Sequence, residues 1–445
     1  VLGKSYPDGR PLMPSHGILD ADTMVQGIFD RLSLRIADRL VPPKPKRNQR
    51  DLIPLSTSRS PYFCSGCPHN ASTKVPEDSL IGAGIGCHTM VLLMDEDQVG
   101  NIAGVTAMGN EGMQWVGMEP FFDRKHFIQN IGDGTYFHSG QLAIASAVSA
   151  NSNITFKLLY NGTIAMTGGQ DPKGGLGVSE IATIMHAQGV KEIIITTEDV
   201  RKYRSFKLPD NVRVWERSRI VEAQQVLAQV DGVTVLIHDQ ECAAQLRRLR
   251  KRNVIKKPDF RVLINHRICE ACGDCGEVSN CLSVQNRETI LGPKARIDQD
   301  SCNFDASCIN GDCPSFMTVQ IDPENPNKGL FKGYEGKGLP NPDIRVSIDE
   351  LDLRIAGIGG TGVVTAAQIL ATAAMLDGFE VRGLDQTGLS QKAGPVVSDI
   401  RLTRGTPSPS NLLMQQSADV LIGFDLLVAA SDKALEVASD AKTIL

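Results

Sequence analysis

Eleven cysteines stand at spacings that suit metal binding. Cys64-x2-Cys67 is followed by Cys87 and, far along the chain, by Cys242. Four such thiolates can close around one iron–sulfur cluster, and the same spacing also permits a structural zinc. A second group reads Cys269-x2-Cys272-x2-Cys275-x5-Cys281. Three thiolates three residues apart wrap one cubane, and the fourth cysteine of such a run commonly serves a neighbouring cluster. The continuation, Cys302-x5-Cys308-x4-Cys313-Pro314, has Asp305 where a middle cysteine would fall. A carboxylate can ligate iron but is harder than a thiolate, so that corner is expected to be labile. Two clusters are expected here, Cys269, Cys272 and Cys275 with Cys313, and Cys302, Asp305 and Cys308 with Cys281. The competing reading is one cluster plus three structural cysteines.

A second chemistry is written between the first cysteines. Gly132-Asp133-Gly134 follows an apolar run, and 26 residues later Asn161-Gly162-Thr163 ends the next one. Both motifs thus fall at strand carboxyl ends, where α/β sheets bind ligands. A magnesium diphosphate needs a carboxylate and neutral oxygens on the hard cation, with glycines that admit the phosphates to the backbone. Asp133, the Asn161 side chain and the Thr163 carbonyl would supply that set.

The elements that must position these residues can be read from the pattern. Apolar runs at 127–131, 154–160, 192–197 and 233–238 alternate with helical stretches near 139–150 and 178–187, the pattern of a doubly wound parallel sheet. Five segments are expected: a tail of a preceding domain with one helix and a Pro-rich linker at 1–55, a cofactor domain at 56–257, a cysteine-rich domain at 258–321, a Pro/Gly linker at 322–345, and a third domain at 346–445. The third opens with a strand near 353–356 and Gly357-Ile358-Gly359-Gly360-Thr361-Gly362, the context of a nucleotide fingerprint, followed by a helix at 363–375 and a strand at 379–382. No acidic residue stands clearly at the expected distance, so NAD is not inferred. Seven basic residues between Arg247 and Lys257 could steer an acidic partner, or form a solvated face. Trp115, Phe121 and Phe122 could line an aryl pocket or pack in the core.

Composition sets the limits. The 445 residues carry a formal net charge of −5, which provides no basic field for nucleic acid. No run of about 18 uncharged apolar residues is present, so no membrane-spanning segment is expected, and thiol-rich chemistry points to the cytoplasm. The chain starts at Val1 and stops within a strand and helix alternation, so a fragment is expected.

The paired motifs at 132–134 and 161–163 resemble the diphosphate signature of thiamine diphosphate enzymes, and Met166-Thr167-Gly168-Gly169-Gln170 resembles the version in 2-oxoacid:ferredoxin oxidoreductases. Cys64-Ser65-Gly66-Cys67-Pro68-His69, Gly84-Ile85-Gly86-Cys87 and Cys242 resemble the cluster nearest the cofactor in those enzymes. The segment from Gly357 through Gly388-Leu389-Ser390-Gln391-Lys392-Ala393-Gly394-Pro395 resembles their Rossmann-like gamma domain. In that order, the parts resemble the large fused indolepyruvate ferredoxin oxidoreductases. The resemblance implies cofactor contacts at Gly132, Asp133, Gly134, Asn161, Thr163, Thr167, Gly168, Gly169 and Gln170, and a [4Fe-4S] cluster on Cys64, Cys67, Cys87 and Cys242. It further implies a ferredoxin-like cysteine-rich insert, two or three [4Fe-4S] clusters in all, thiamine diphosphate with Mg2+, and oxidative decarboxylation of an aryl 2-oxoacid. CoA would accept the acyl group and ferredoxin two electrons. The activating glutamate would come from a pyrimidine-binding domain preceding Val1, so weak cofactor binding and poor turnover are expected of this chain alone, as is a homo-oligomer. A thiamine lyase with structural zinc and a pure electron-transfer module are the alternative classes.

Overall fold

The computed structural model describes residues 5–6, 8–13, 21–40, 55–57, 59, 61–166, 169–321, 346–347, 349–387, 394–406 and 410–445. Thr167, Gly168 and the motif residues Gly388 to Ala393 lie outside them. The chain divides into two compact units, Tyr62–Gly333 and a second made of Val1–Pro61 with Tyr334–Leu445.

The first unit is built on seven parallel strands: β1 (Leu80–Ala83), β2 (Asn101–Val105), β3 (Phe127–Gly132), β4 (Ile154–Tyr160), β5 (Glu192–Thr197), β6 (Val212–Glu216) and β7 (Val233–Asp239). Their order is β2-β1-β3-β4-β7-β5-β6, and every pairing is parallel. Helices on both sides explain why the central strands read as unbroken apolar runs. On one face, Phe127, Ile131, Phe156, Leu158 and Ile195 pack under the helices Gln141–Ser149 and Val178–Ala187. On the other, Ile194 and Leu236 meet Ile220, Ala223 and Leu227 of the helix Ile220–Leu227.

Trp115 belongs to the first of these cores. It is fully buried, stacks on Phe127 at 5.3 Å and donates its indole N–H to the Asn153 carbonyl. Phe121 is exposed, so the three aromatics do not form a common pocket wall.

The cysteine-rich stretch of the same unit is framed by four short strands, β8 (Phe260–Ile264), β9 (Val284–Thr289), β10 (Gly292–Ile297) and β11 (Phe316–Gln320). β8 pairs antiparallel with β11, tying the two ends of the stretch together, while β9 and β10 form a hairpin. Its small core contains Val262, Ile264 and Ile297 beside Cys269 and Cys275.

The second unit holds a four-stranded sheet of β12 (Glu350–Ile358), β13 (Glu380–Thr387), β14 (Pro395–Thr403) and β15 (Val420–Gly423) in the order β13-β14-β12-β15. The expected strand, glycine turn and helix are present, with the helix at Val363–Leu376. The sheet differs from a Rossmann arrangement because β14 runs antiparallel to both neighbours and only β12 and β15 are parallel. β14 begins on Pro395, the last residue of the Gly388 motif, and its run of mixed apolar and polar residues lacks a clean alternation, which obscured it as a strand.

Candidate functional site

Asp133 sits where β3 ends and a helical segment begins, and its side chain is turned onto the loop that leaves β4. One carboxylate oxygen accepts the Gly134 amide at 2.7 Å; the other accepts the Asn161 amide at 3.0 Å and the Gly162 amide at 2.8 Å. The Asn161 side-chain oxygen accepts the Thr163 amide at 3.1 Å. Gly162 has φ +69°, a turn that an L side chain adopts only with strain. The loop closes through an Ile164–Gln170 bridge, and the Thr163 hydroxyl donates to the Gln170 carbonyl. Adjacent parallel strands β3 and β4 therefore bring Asp133, Asn161, Thr163, Gly169 and Gln170 into one loop cluster.

Asp133 is 3% exposed, and burial pushes its carboxyl above the usual carboxylate range, against the opposing pull of the Asn161, Gly134, Gly162 and Thr163 amides. No described cationic side chain forms an ion pair with it. A buried carboxylate bounded by amide donors and neighbouring neutral oxygens suits a hard divalent cation. These residues fit a magnesium diphosphate.

The first cysteine group lies beside this loop. Cys64–Cys67 forms a tight turn, with the Cys67 amide on the Cys64 carbonyl, and Cys242 caps the helix Ala243–Lys251 just after β7. Cys67 and Cys87 pack with Phe63, Met90, Ala165 and Met166, so the thiols adjoin the segment that follows Thr163. Burial drives the Cys67 thiol well up, and the charges of Cys64, Cys87 and Cys242 add to this. All four are thus near neighbours. A Cys67 thiol so placed is protonated when free, and metal binding would hold it as a thiolate.

The second and third groups share the small core of this stretch, where Cys302 and Cys308 pack against Cys269 and Cys275. Burial raises Cys275, whose charged neighbours are Cys313, Cys269 and Cys272. Amides of Ala271 and Ala295 approach the Cys269 sulfur, and the Cys313 sulfur is 2.8 Å from the Ser315 hydroxyl. Cys308 is pushed up to about 12 by burial, then by Cys281 and Cys302, with Cys275 of the other group adding to this. Cys302 rises for the same reasons, its charged neighbours including Cys281 and Asp305. Among the described residues no group of three or more His, Cys, Asp or Glu is drawn together on the position of a single metal ion.

Several buried polar groups near the loop have a place that the sequence pattern did not disclose. His88, directly after Cys87, is 2% exposed, and its ring lies against the Cβ positions of Gly84, Gly86 and Gly132. Burial lowers it to about 4, with Lys157 adding to the effect. Its Nε2 and both side-chain polar atoms of Asn130 have no hydrogen-bond partner among the described residues. Lys157 of β4 is fully buried and donates to the Gln224 side chain at 3.1 Å. Only the adjacency of His88 to Cys87 offered any signal in the sequence.

The basic stretch turns inward at several points. Arg247 donates to the Asp300 and Ser301 carbonyls, and Arg250 to the Asn303 carbonyl, fastening the helix Ala243–Lys251 to the loop that carries Cys302. These contacts give the stretch a structural role, and nothing in them marks a partner.

Residues 84–203, which contain the Asp133–Asn161 cluster, match the family described as thiamine pyrophosphate enzyme, C-terminal TPP binding domain. Residues 352–445 match pyruvate ferredoxin/flavodoxin oxidoreductase. The chain is 26% identical over 286 residues to indolepyruvate oxidoreductase subunit IorA of Archaeoglobus fulgidus, covering 61% of this chain and 42% of that protein. It is 34% identical over 76 residues to subunit IorB of Thermococcus kodakarensis, covering 17% of this chain and 37% of that one. A solved 2-oxoglutarate:ferredoxin oxidoreductase from Magnetococcus marinus is 18% identical with a TM-score of 0.30, over 45% of this chain and 69% of that one. The chain spans less than half the length of these curated relatives. The chain thus matches a thiamine pyrophosphate-binding domain and a pyruvate ferredoxin/flavodoxin oxidoreductase-type domain, and it is a distant homologue of IorA.

Proposed function

We propose that this chain binds thiamine diphosphate through Mg2+ on Asp133, Asn161 and Thr163 and carries electrons away from it over iron–sulfur clusters, in the oxidative decarboxylation of an aryl 2-oxoacid. The observation that carries the reading is the buried Asp133 carboxylate, aligned by three backbone amides and free of any described cationic partner. Bound thiamine diphosphate supplies the electron sink for decarboxylation. The chain's own part is to hold and to conduct. Asp133 fixes the cation, Gly162 lets the loop backbone approach the phosphates, and the wall of Cys67, Cys87, Ala165 and Met166 puts cluster ligands beside the cofactor.

The thiols of Cys64, Cys67, Cys87 and Cys242 would hold the cluster nearest the cofactor, and Cys269, Cys272, Cys275 and Cys313 a second one. Cys281, Cys302 and Cys308 form the third group. An indolepyruvate-like substrate, in keeping with the names of the curated relatives, completes the proposal, with CoA as acyl acceptor and ferredoxin as electron acceptor from the motif resemblance, and assembly as a homo-oligomer. The cytoplasm is the proposed compartment, and no described helix is long and apolar enough to cross a membrane.

Calorimetric titration of anaerobically purified protein with thiamine diphosphate and Mg2+ tests the cofactor site. Saturable, magnesium-dependent binding that Asp133→Ala abolishes is expected. Binding that is absent in the parent, or unchanged in the variant, would contradict it.

A further inference from the structure

We propose that Asp305 is not an iron ligand but a clasp that fastens the cysteine-rich loop to Arg217 and Gln240, beside the Cys64–Cys67 turn, leaving the cluster of Cys281, Cys302 and Cys308 with three protein thiolates. The inference rests on the iron–sulfur reading above and refines it. One Asp305 oxygen lies 2.7 Å from an Arg217 guanidinium nitrogen and 3.1 Å from the Gln240 amide. Its other oxygen accepts the Ser307 amide at 3.3 Å. Arg217 also reaches the Asp305 carbonyl at 3.2 Å and pairs with Glu198 at 3.0 Å, and Gln240 donates to that same Glu198. The Asp305 side chain is 11% exposed, so these contacts are made largely out of water.

The contacts lead to the other cysteine loop. Asn303 donates its side-chain amide to the Ser65 carbonyl at 2.8 Å, and a Cβ on Gly66 would stand 2.8 Å from the Cβ of Asp305. Gly66, at φ +64°, is thus required both by its backbone and by this approach. Turning the carboxylate to iron would break its bonds to Arg217 and Gln240, leaving both to share Glu198. Carboxylate is also the poorer match to a cluster iron that thiolates prefer. The clasp keeps the ligand-bearing loops together, and the fourth corner of the cluster takes no protein side chain.

The test compares the anaerobically purified holoprotein with Asp305→Asn and Arg217→Met, by iron and acid-labile sulfide per chain, low-temperature EPR and thermal unfolding. Asp305→Ala replaces the asparagine variant if that one is insoluble. Unchanged iron, sulfide and EPR signals in both variants are expected, with similarly lowered unfolding midpoints. Loss of iron or of one cluster's signal from the Asp305 variant, whatever Arg217→Met does, overturns the proposal, as does an unchanged midpoint in both. A parent protein without iron would defeat the reading on which this rests, and would show before any substitution is made.

Discussion

Asp133 concentrates the chemistry of the cofactor site because it is buried, acidic and short of a cationic partner among the described residues. Replacing it with alanine removes the cation's carboxylate and leaves the Gly134, Asn161 and Gly162 amides without their acceptor. Loss of groups that merely support a metal ligand weakens binding by about 10- to 100-fold, so loss of the carboxylate itself is expected to weaken thiamine diphosphate binding by roughly 100-fold or more. Calorimetry reads this directly. The buried Lys157 offers a separate test, since burial lowers its ammonium from 10.5 to about 7. The unfolded chain takes up the proton as pH falls below about 10.5, while the folded one resists until about 7. Stability therefore falls as pH drops through that window, by a few kcal/mol in all, because each pH unit crossed costs about 1.4 kcal/mol. Lys157→Met is expected to flatten this slope in unfolding midpoints measured between pH 7 and 10; an unchanged slope would show that the amine does not titrate as its burial dictates.

Strands and the loops that leave them decide which of these residues meet. β12 and β14 are joined inside their sheet by Arg354 and Asp399, a bidentate pair at 2.7 and 2.8 Å whose side chains are 3% and 0% exposed. Arg354→Met strands a buried carboxylate, so a loss of about 3–5 kcal/mol is expected in urea unfolding, and Asp399→Leu added to it should recover most of that loss. The long central strands were legible because both faces are buried and the run of apolar residues is continuous. β1, β2 and β6 were not, being only 4 or 5 residues long and drawing their identity from their neighbours. The Asp133–Asn161 cluster was readable because adjacent parallel strands convert a sequence spacing into a contact. The Arg217–Asp305 pair joins residues 88 apart through packing, and no local pattern announces it. The buried setting of Lys157, His88 and Asn130 is likewise a property of what covers the sheet, not of the residues' own types.

At the scale of the molecule, the seven-stranded sheet and the cysteine-rich stretch form one compact unit, and three groups of thiols lie within it. Composition already argued against a nucleic-acid binder, and the matches to a thiamine pyrophosphate-binding domain and a pyruvate oxidoreductase-type domain stand beside the distant homology to IorA. What these parts do together in this protein turns on whether the thiols hold iron. The most direct measurement is iron and acid-labile sulfide per chain after strictly anaerobic purification, recorded with the visible spectrum. A brown protein is predicted, with roughly 11 or 12 iron atoms, near four for each of three clusters and one fewer if the three-thiolate cluster lacks its fourth iron. A colourless protein, with zinc or no metal in place of iron, would contradict the proposed function and leave thiamine chemistry without an electron path.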